Sequence, residues 1–446
     1  MSTQPQWPTV ALNTVADFLS GGTPSKARPD YWRGDIPWIS AKDMKQARIR
    51  DSEDHISPEG LADGSRIAPK GATLVLVRGM TLISDVPICV VERDAAFNQD
   101  VKAIVARSGI NPAFLNYSLL AAKPLLLSYV EFAGHGTGRL PTDRLQALQI
   151  PIPAAPEQTA IAQVLSALDD KIELNRRMNE TLEAMARSIF KSWFVDFDPV
   201  RANMSASAKS LPMKHRDLFP CSFQDSEFGT IPKGWFPKSL SDVCCRIAMG
   251  PFGSDIKTDN FVESGVPVIR GGNLADGFVD SDFVFVSEHK ADELRNANAF
   301  PEDIVITHRG TLGQVGLIPS RSNFPRYVVS QSQMLLSLDR RIATPRFVFE
   351  YLRSPLGQHR LLANTSQTGV PAIARPVTSV KAIRFVLPPL AVLQAFEEII
   401  FPLVERVNAN VAEVLGLTAV RDALLPKLIS GAIRVAPFQP MELATS

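Results

Sequence analysis

The sequence is poor in the residues that build metal and redox sites, with four cysteines and six histidines in 446 residues. Cys89, Cys221, Cys244 and Cys245 follow no metal-ligand or redox spacing, so the vicinal pair is expected to be structural. The scattered histidines offer no pair at ligand spacing on a helix, and no metal site is expected. No apolar run approaches the ~20 residues needed to span a bilayer. The N-terminal MSTQPQWPTV lacks the basic-then-apolar layout of a secretory leader. A reducing cytoplasm and no membrane partner are therefore expected. A Gly-rich phosphate loop with its lysine is missing, as are nuclease-type carboxylate clusters, which leaves no catalytic residue to nominate.

A surplus of charge is missing as well. The 47 basic and 46 acidic residues give +1, so the basicity typical of nucleic-acid binders is absent. Residues 1–155 carry 16 basic and 15 acidic groups and residues 232–390 carry 18 and 14, while the two remaining stretches are −2 each. The 45% hydrophobic content is enough to bury sizeable cores, and the length allows two or three domains.

What the chain does have is a copy of itself, offset by about 230 residues. Trp7 and Leu12 match Trp235 and Leu240. IPWISAKDM (36–44) matches VPVIRGGNL (266–274), and Arg78-Gly79 matches Arg309-Gly310, each pair closing an apolar strand-like run. FNQD (97–100) matches VSQS (329–332), and NPAFLNYSLL (111–120) matches TPRFVFEYLR (344–353). Thr137-Gly138 matches Thr368-Gly369, and ALQIPIP (147–153) matches AIRFVLP (382–388). Each copy reads as an α+β unit, short β-branched runs broken by turn residues and interleaved with helices, followed by one long helix.

The long helices carry a 4-3 apolar alternation over about five heptads. In the first, Ile161, Leu168, Asn175, Leu182 and Ile189 form one seam position and Leu165, Ile172, Asn179, Ala186 and Trp193 the other. In the second the corresponding sets are Phe396, Leu403, Asn410, Leu417 and Leu424, with Ile400, Val407, Val414, Arg421 and Leu428. Asn175 and Asn410 fall at the same place, where a buried asparagine fixes register at a cost in stability. Pro402 and Pro426 lie inside the second pattern and are expected to kink or shorten that helix.

Two strings resemble parts of adenine methyltransferases: Asn111-Pro112-Ala113-Phe114 and Phe132-Ala133-Gly134-His135-Gly136. They stand about 20 residues apart, too close for the intervening elements of a Rossmann-like fold, and neither survives in the second copy. A self-contained adenine methyltransferase is thus the first rival reading, and a coiled-coil scaffold without a DNA role the second. The polar positions shared by the copies look instead like a recognition surface. Arg78 and Arg309 end apolar strands, where a guanidinium can reach a guanine edge or a phosphate. Asn98, Gln99, Gln331 and Gln333 carry amides suited to adenine, and Thr137, Arg139 and Thr368 offer phosphate donors. Lys42, Arg270 and Asn273, from the matched strand ends, complete the set.

At this point the residues resemble a family. QTAIAQVLSALDDKIELNRRMNETLEAMARSIFKSWFVDFDPV (158–200) looks like the central conserved region of type I restriction-modification specificity subunits. SQTGVPAIARP (366–376), LLPKLISGAIRV (424–435) and the segment LFPCSFQDSEFGTIPKGW (218–235) resemble further parts of the same family. The resemblance implies target-recognition domains at 1–155 and 232–390, a central helix at 156–197, a linker at 198–231, a distal helix at 391–434 and a tail at 435–446. It implies that the helices pair antiparallel as a coiled coil, giving pseudo-two-fold symmetry, and that each domain reads one half of a split, asymmetric site in double-stranded DNA. It further implies a non-catalytic subunit docking two methyltransferase subunits and, through them, a restriction/translocase subunit. S-adenosylmethionine would be bound by the methyltransferase, with no cofactor in this chain.

Overall fold

A computed structural model of the chain describes residues 7–132, 137–205, 213–251, 253, 255–275, 277–366 and 369–435. They form two compact units, Met1–Arg177 with Asn410–Ser446, and Met178–Ala409. Each unit combines one mixed α/β domain with part of both long helices, the central helix Ala155–Phe194 and the distal helix Leu390–Ile429.

The first domain is built on two sheets. A five-stranded sheet runs Ala16–Ser20, Val101–Ala106, Thr73–Leu76, Ile88–Val91, Arg48–Ile49, and a four-stranded sheet runs Asp54–Ile56, Ile36–Ile39, Ala95–Phe97, Ile67–Ala68. The second domain repeats the plan. Cys244–Met249, Gln333–Leu338, Ile304–Thr307 and Val315–Leu317 form one sheet. Val284–Val286, Val266–Ile269, Tyr327–Val329 and Asn298–Ala299, extended by Phe261–Val262, form the other. In both copies the central strands Thr73–Leu76 and Ile304–Thr307 are buried on both faces, which explains why they read as unbroken apolar runs. The duplication seen in the sequence is therefore a duplication of strand order.

Each domain is anchored to the helices through the tryptophan that opens its repeat. Trp7 packs with Phe114, Tyr117, Ile161, Leu165, Leu428 and Ile429, so the start of one helix and the end of the other share its cluster. Trp235, 1% exposed, lies against Phe194, Phe197 and Phe219, in a core that also holds Phe347, Leu393 and Phe396. The segment expected to be a linker contributes here: it carries the helix Asp198–Met204 and the hairpin Phe223–Ser226/Gly229–Pro232, with Val200, Phe219 and Ile231 buried.

Within the first unit the helices pair antiparallel, because contact partners descend on one as they ascend on the other. Glu157 meets Arg434, Asp169 meets Arg421 at 2.9 Å, and Asn175 donates through Nδ2 to Glu413 Oε2 at 2.9 Å. In the second unit Phe190, Trp193 and Phe194 close on Phe396, each with ring centroids 5.1–6.1 Å away. Ile161, Leu165, Ile172, Asn175 and Asn410 are buried in the seam, while Leu168, Leu182, Ile189, Leu403, Val407, Leu417 and Leu424 are half-buried. Arg421 occupies a seam position because Asp169 receives it, and Asp169 also accepts from the Tyr117 hydroxyl of the domain at 2.6 Å. Burial and that bond hold the Tyr117 phenol above its usual range.

The distal helix is one unbroken element despite Pro402 and Pro426. Both prolines are exposed, so the carbonyls they leave without a backbone donor can turn to water.

Burial separates the cysteines into two classes. Cys89 is buried and its thiol is pushed up to about 12, as is that of Cys244, while Cys221 and Cys245 are exposed. Native protein at neutral pH is expected to alkylate rapidly at Cys221 and Cys245 and at Cys89 and Cys244 only after unfolding, which mass spectrometry of iodoacetamide-treated protein checks.

Candidate nucleic-acid interface

In the first domain the chain leaves the buried strand Thr73–Leu76 and emerges at Arg78-Gly79, which pairs with a hairpin of Glu131–Phe132 and Gly138–Arg139. Arg139 stands directly opposite Arg78, and both are exposed. Gly138 is required at this crossing, since a Cβ there would lie 2.7 Å from the Leu82 Cβ. Exposed Met80 and Phe132 flank the arginines. The second domain repeats the arrangement with Thr365–Ser366 and Ala372–Ile373, and Arg309 bridges to Ala372.

Beside Arg309 the second domain opens a cleft of about 410 Å³. Arg270, Arg309, Thr307, Gln314, Gln331 and Gln333 are among its lining residues. Gln333 Nε2 donates to Thr307 Oγ1 at 3.2 Å, Thr307 donates to Gln314 Oε1 at 2.9 Å, and Gln314 Nε2 donates to the Gly271 carbonyl at 3.1 Å. This chain of bonds fixes the cleft floor and leaves Arg270, Arg309 and Gln331 exposed at its surface. Thr307 and Gln314 were not anticipated, although a threonine inside an otherwise apolar strand was a readable signal.

Several nominated residues have structural duties. Asn273 is 4% exposed, and its Oδ1 accepts from the Arg270 backbone while its Nδ2 donates to the Ser281 carbonyl at 2.9 Å. Asp43 makes the same cap to Ser40 in the first domain, so the position staples a turn, and Asn273 cannot present its amide to a base. Gln333, 1% exposed, is spent on Thr307 and on Ser330, whose hydroxyl it accepts. Asn98 is buried, and its Oδ1 accepts from the Asp100 backbone at 3.1 Å as an Asx turn. Gln99 is exposed and receives Thr23 Oγ1 at 2.6 Å. Lys42 is held by Glu53 and Asp54 at 2.8 and 2.9 Å, bonds that keep its ammonium above the usual lysine range. Thr137 is half-buried at the hairpin, and Thr368 lies outside the described residues.

Asn111 caps the helix Pro112–Ala121, accepting from the Ala113 and Phe114 backbone at 3.0 and 3.1 Å, while its own N–H donates to Gln158 Oε1 at 2.9 Å. The methyltransferase-like string is thus a capped helix start with proline at its first position. Among the described residues there is no group of three side chains able to hold a metal, and no helix long and apolar enough to cross a membrane.

An α/β domain written twice, each copy closed by its share of an antiparallel helix pair, is the arrangement that the resemblance to type I restriction-modification specificity subunits implies. The comparisons show what the chain is similar to. Residues 5–184 match the family described as Type I restriction modification DNA specificity domain. The chain is similar to the type I restriction enzyme MjaIX specificity subunit of Methanocaldococcus jannaschii, 27% identical over 96% of this chain and 94% of that one. It is 24% identical to the HindI specificity subunit of Haemophilus influenzae over 65% of this chain and 70% of that one. Its fold matches the crystal structure of the type I restriction-modification system S subunit from M. genitalium with a TM-score of 0.55, at 15% identity over 96% and 97% of the two chains.

The buried amides are expected to act on stability. Asn273→Ala and Gln333→Ala should each cost about 1–3 kcal/mol by orphaning buried partners, read by urea denaturation, whereas Gln331→Ala should leave stability within about 0.5 kcal/mol.

Proposed function

We propose that this chain is the non-catalytic DNA-reading subunit of a type I restriction-modification assembly, each domain reading one half of a split, asymmetric site in double-stranded DNA. The observation that carries the reading is the duplication itself, with an exposed arginine at the same strand end in both copies, Arg78 and Arg309. Similarity to specificity subunits along nearly the whole chain supports it. The sequence read belongs to each domain, and helix length sets the separation of the half-sites. Two methyltransferase subunits, carrying S-adenosylmethionine, dock on the helices, and a restriction/translocase subunit joins through them. An adenine extruded from the duplex enters the methyltransferase pocket. The assembly works in the cytoplasm, where DNA is accessible.

The seam residues hold the helices to one another, so docking falls to apolar side chains outside the seam. In the first unit these include Leu174, Val411 and Leu415, all exposed. Val411 and Leu415 stand four residues apart on one helix face. The doubly substituted Val411→Asp/Leu415→Asp chain is expected to keep its melting temperature and lose the methyltransferase on size-exclusion chromatography.

The reconstituted assembly is expected to bind its site selectively and with steep salt dependence. Arg78→Ala or Arg309→Ala should each weaken selective binding by about tenfold or more, from the ~1–3 kcal/mol of a bidentate arginine–base contact. Binding of S-adenosylmethionine by the isolated chain, or methylation of DNA without partners, would contradict the reading in favour of a self-contained methyltransferase.

A further inference from the structure

The strand registers align the two domains residue by residue. Ile39 pairs in parallel with Phe97 as Ile269 does with Val329, and the next residue begins the same capped turn in each copy. Ser40 in the first domain therefore corresponds to Arg270 in the second. On the other side, Leu140 N–H donates to the Val77 carbonyl and Ile373 N–H to the His308 carbonyl, both at 2.9 Å. Arg139 therefore corresponds to Ala372, and the common arginines Arg78 and Arg309 face them across the ladder.

Around this strand end each domain thus presents two exposed arginines among the described residues, the common one and a second, on opposite flanks. The first domain has Arg139 on the hairpin flank and Ser40, whose hydroxyl is given to Asp43, on the other. The second has Ala372 on the hairpin flank and Arg270 on the cleft flank. None of the four guanidiniums has an ion pair among the described residues, and Glu131, paired with Arg139 across the hairpin, makes none with it. Arg78 and Arg139, directly opposed with Cα atoms about 5 Å apart, repel one another until an acceptor reaches them. A rigid strand end and a planar fork suit bidentate contact with the paired acceptors of guanine.

We propose that these arginines are the specificity determinants that make the two half-sites different. Arg78 and Arg309 read an equivalent guanine in each half, and the second guanine lies to one side of it in the half read with Arg139 and to the opposite side in the half read with Arg270. This rests on the DNA-reading function proposed above and specifies its chemistry.

The test is strand-resolved mapping of methylated adenine in the genomic DNA of a host expressing the full chain with its methyltransferase partner. Arg139→Ala should relax one position in one half-site only, by about ten- to hundredfold in relative methylation. Arg270→Ala should relax one position in the other half only, on the opposite flank of the position relaxed by Arg309→Ala. Ala372→Arg should add a constrained position to the second half. A uniform drop in methylation with an unchanged motif would assign the arginines to phosphates and overturn the inference, as would relaxed positions on the same flank in both halves. A wild-type assembly that methylates no split motif would overturn the DNA-reading function itself, a separate outcome visible before any variant is made.

Discussion

Antiparallel pairing of the central and distal helices is the constraint on which both units depend. The first unit is discontinuous in sequence, its domain completed by residues 410–435, while the second is one continuous segment whose domain closes on helix segments from before and after it. The pairing is built from two kinds of contact. Aromatic packing of Phe190, Trp193 and Phe194 on Phe396 serves the second unit. In the first, polar contacts from Asn175 to Glu413 and from Asp169 to Arg421 and Tyr117 lie between apolar ends. Asn175 and Asn410 are both fully buried, and such a layer penalises any slipped register more than it stabilises the right one.

Much of this was legible because it depends on spacing. The 4-3 seam, the repeat of Trp7 in Trp235 and the strand-ending Arg78 and Arg309 follow from periodicity and order, and the structure places them as such. Individual contacts were less legible. Asn273 and Gln333 look like base-reading amides in one dimension, but a polar residue after a strand has two uses, capping and recognition, and only burial separates them. Lys42 is similar: its two carboxylate partners come from a bend and strand eleven and twelve residues on. The linker between the helix and the second domain hid its aromatic packing because Phe197, Phe219 and Phe223 have no regular period.

The near-zero net charge takes on a physical meaning at the same level. Many of the cations are matched: Lys42, Arg107, Arg326, Arg384 and Arg421 all sit on carboxylates. Exposed pairs of this kind add little stability, but they cancel the diffuse field that would bind any DNA. On the proposed reading, the strand-end arginines, which make no ion pair among the described residues, then carry a larger share of the interaction with the duplex.

The claim that each domain is an independent reader is tested most directly by exchanging residues 1–155 for the corresponding domain of a relative and mapping methylated adenines in the host genome. The account predicts that one half of the split motif changes while the other half and the spacer stay as they were. A change in both halves, or in neither, would contradict it.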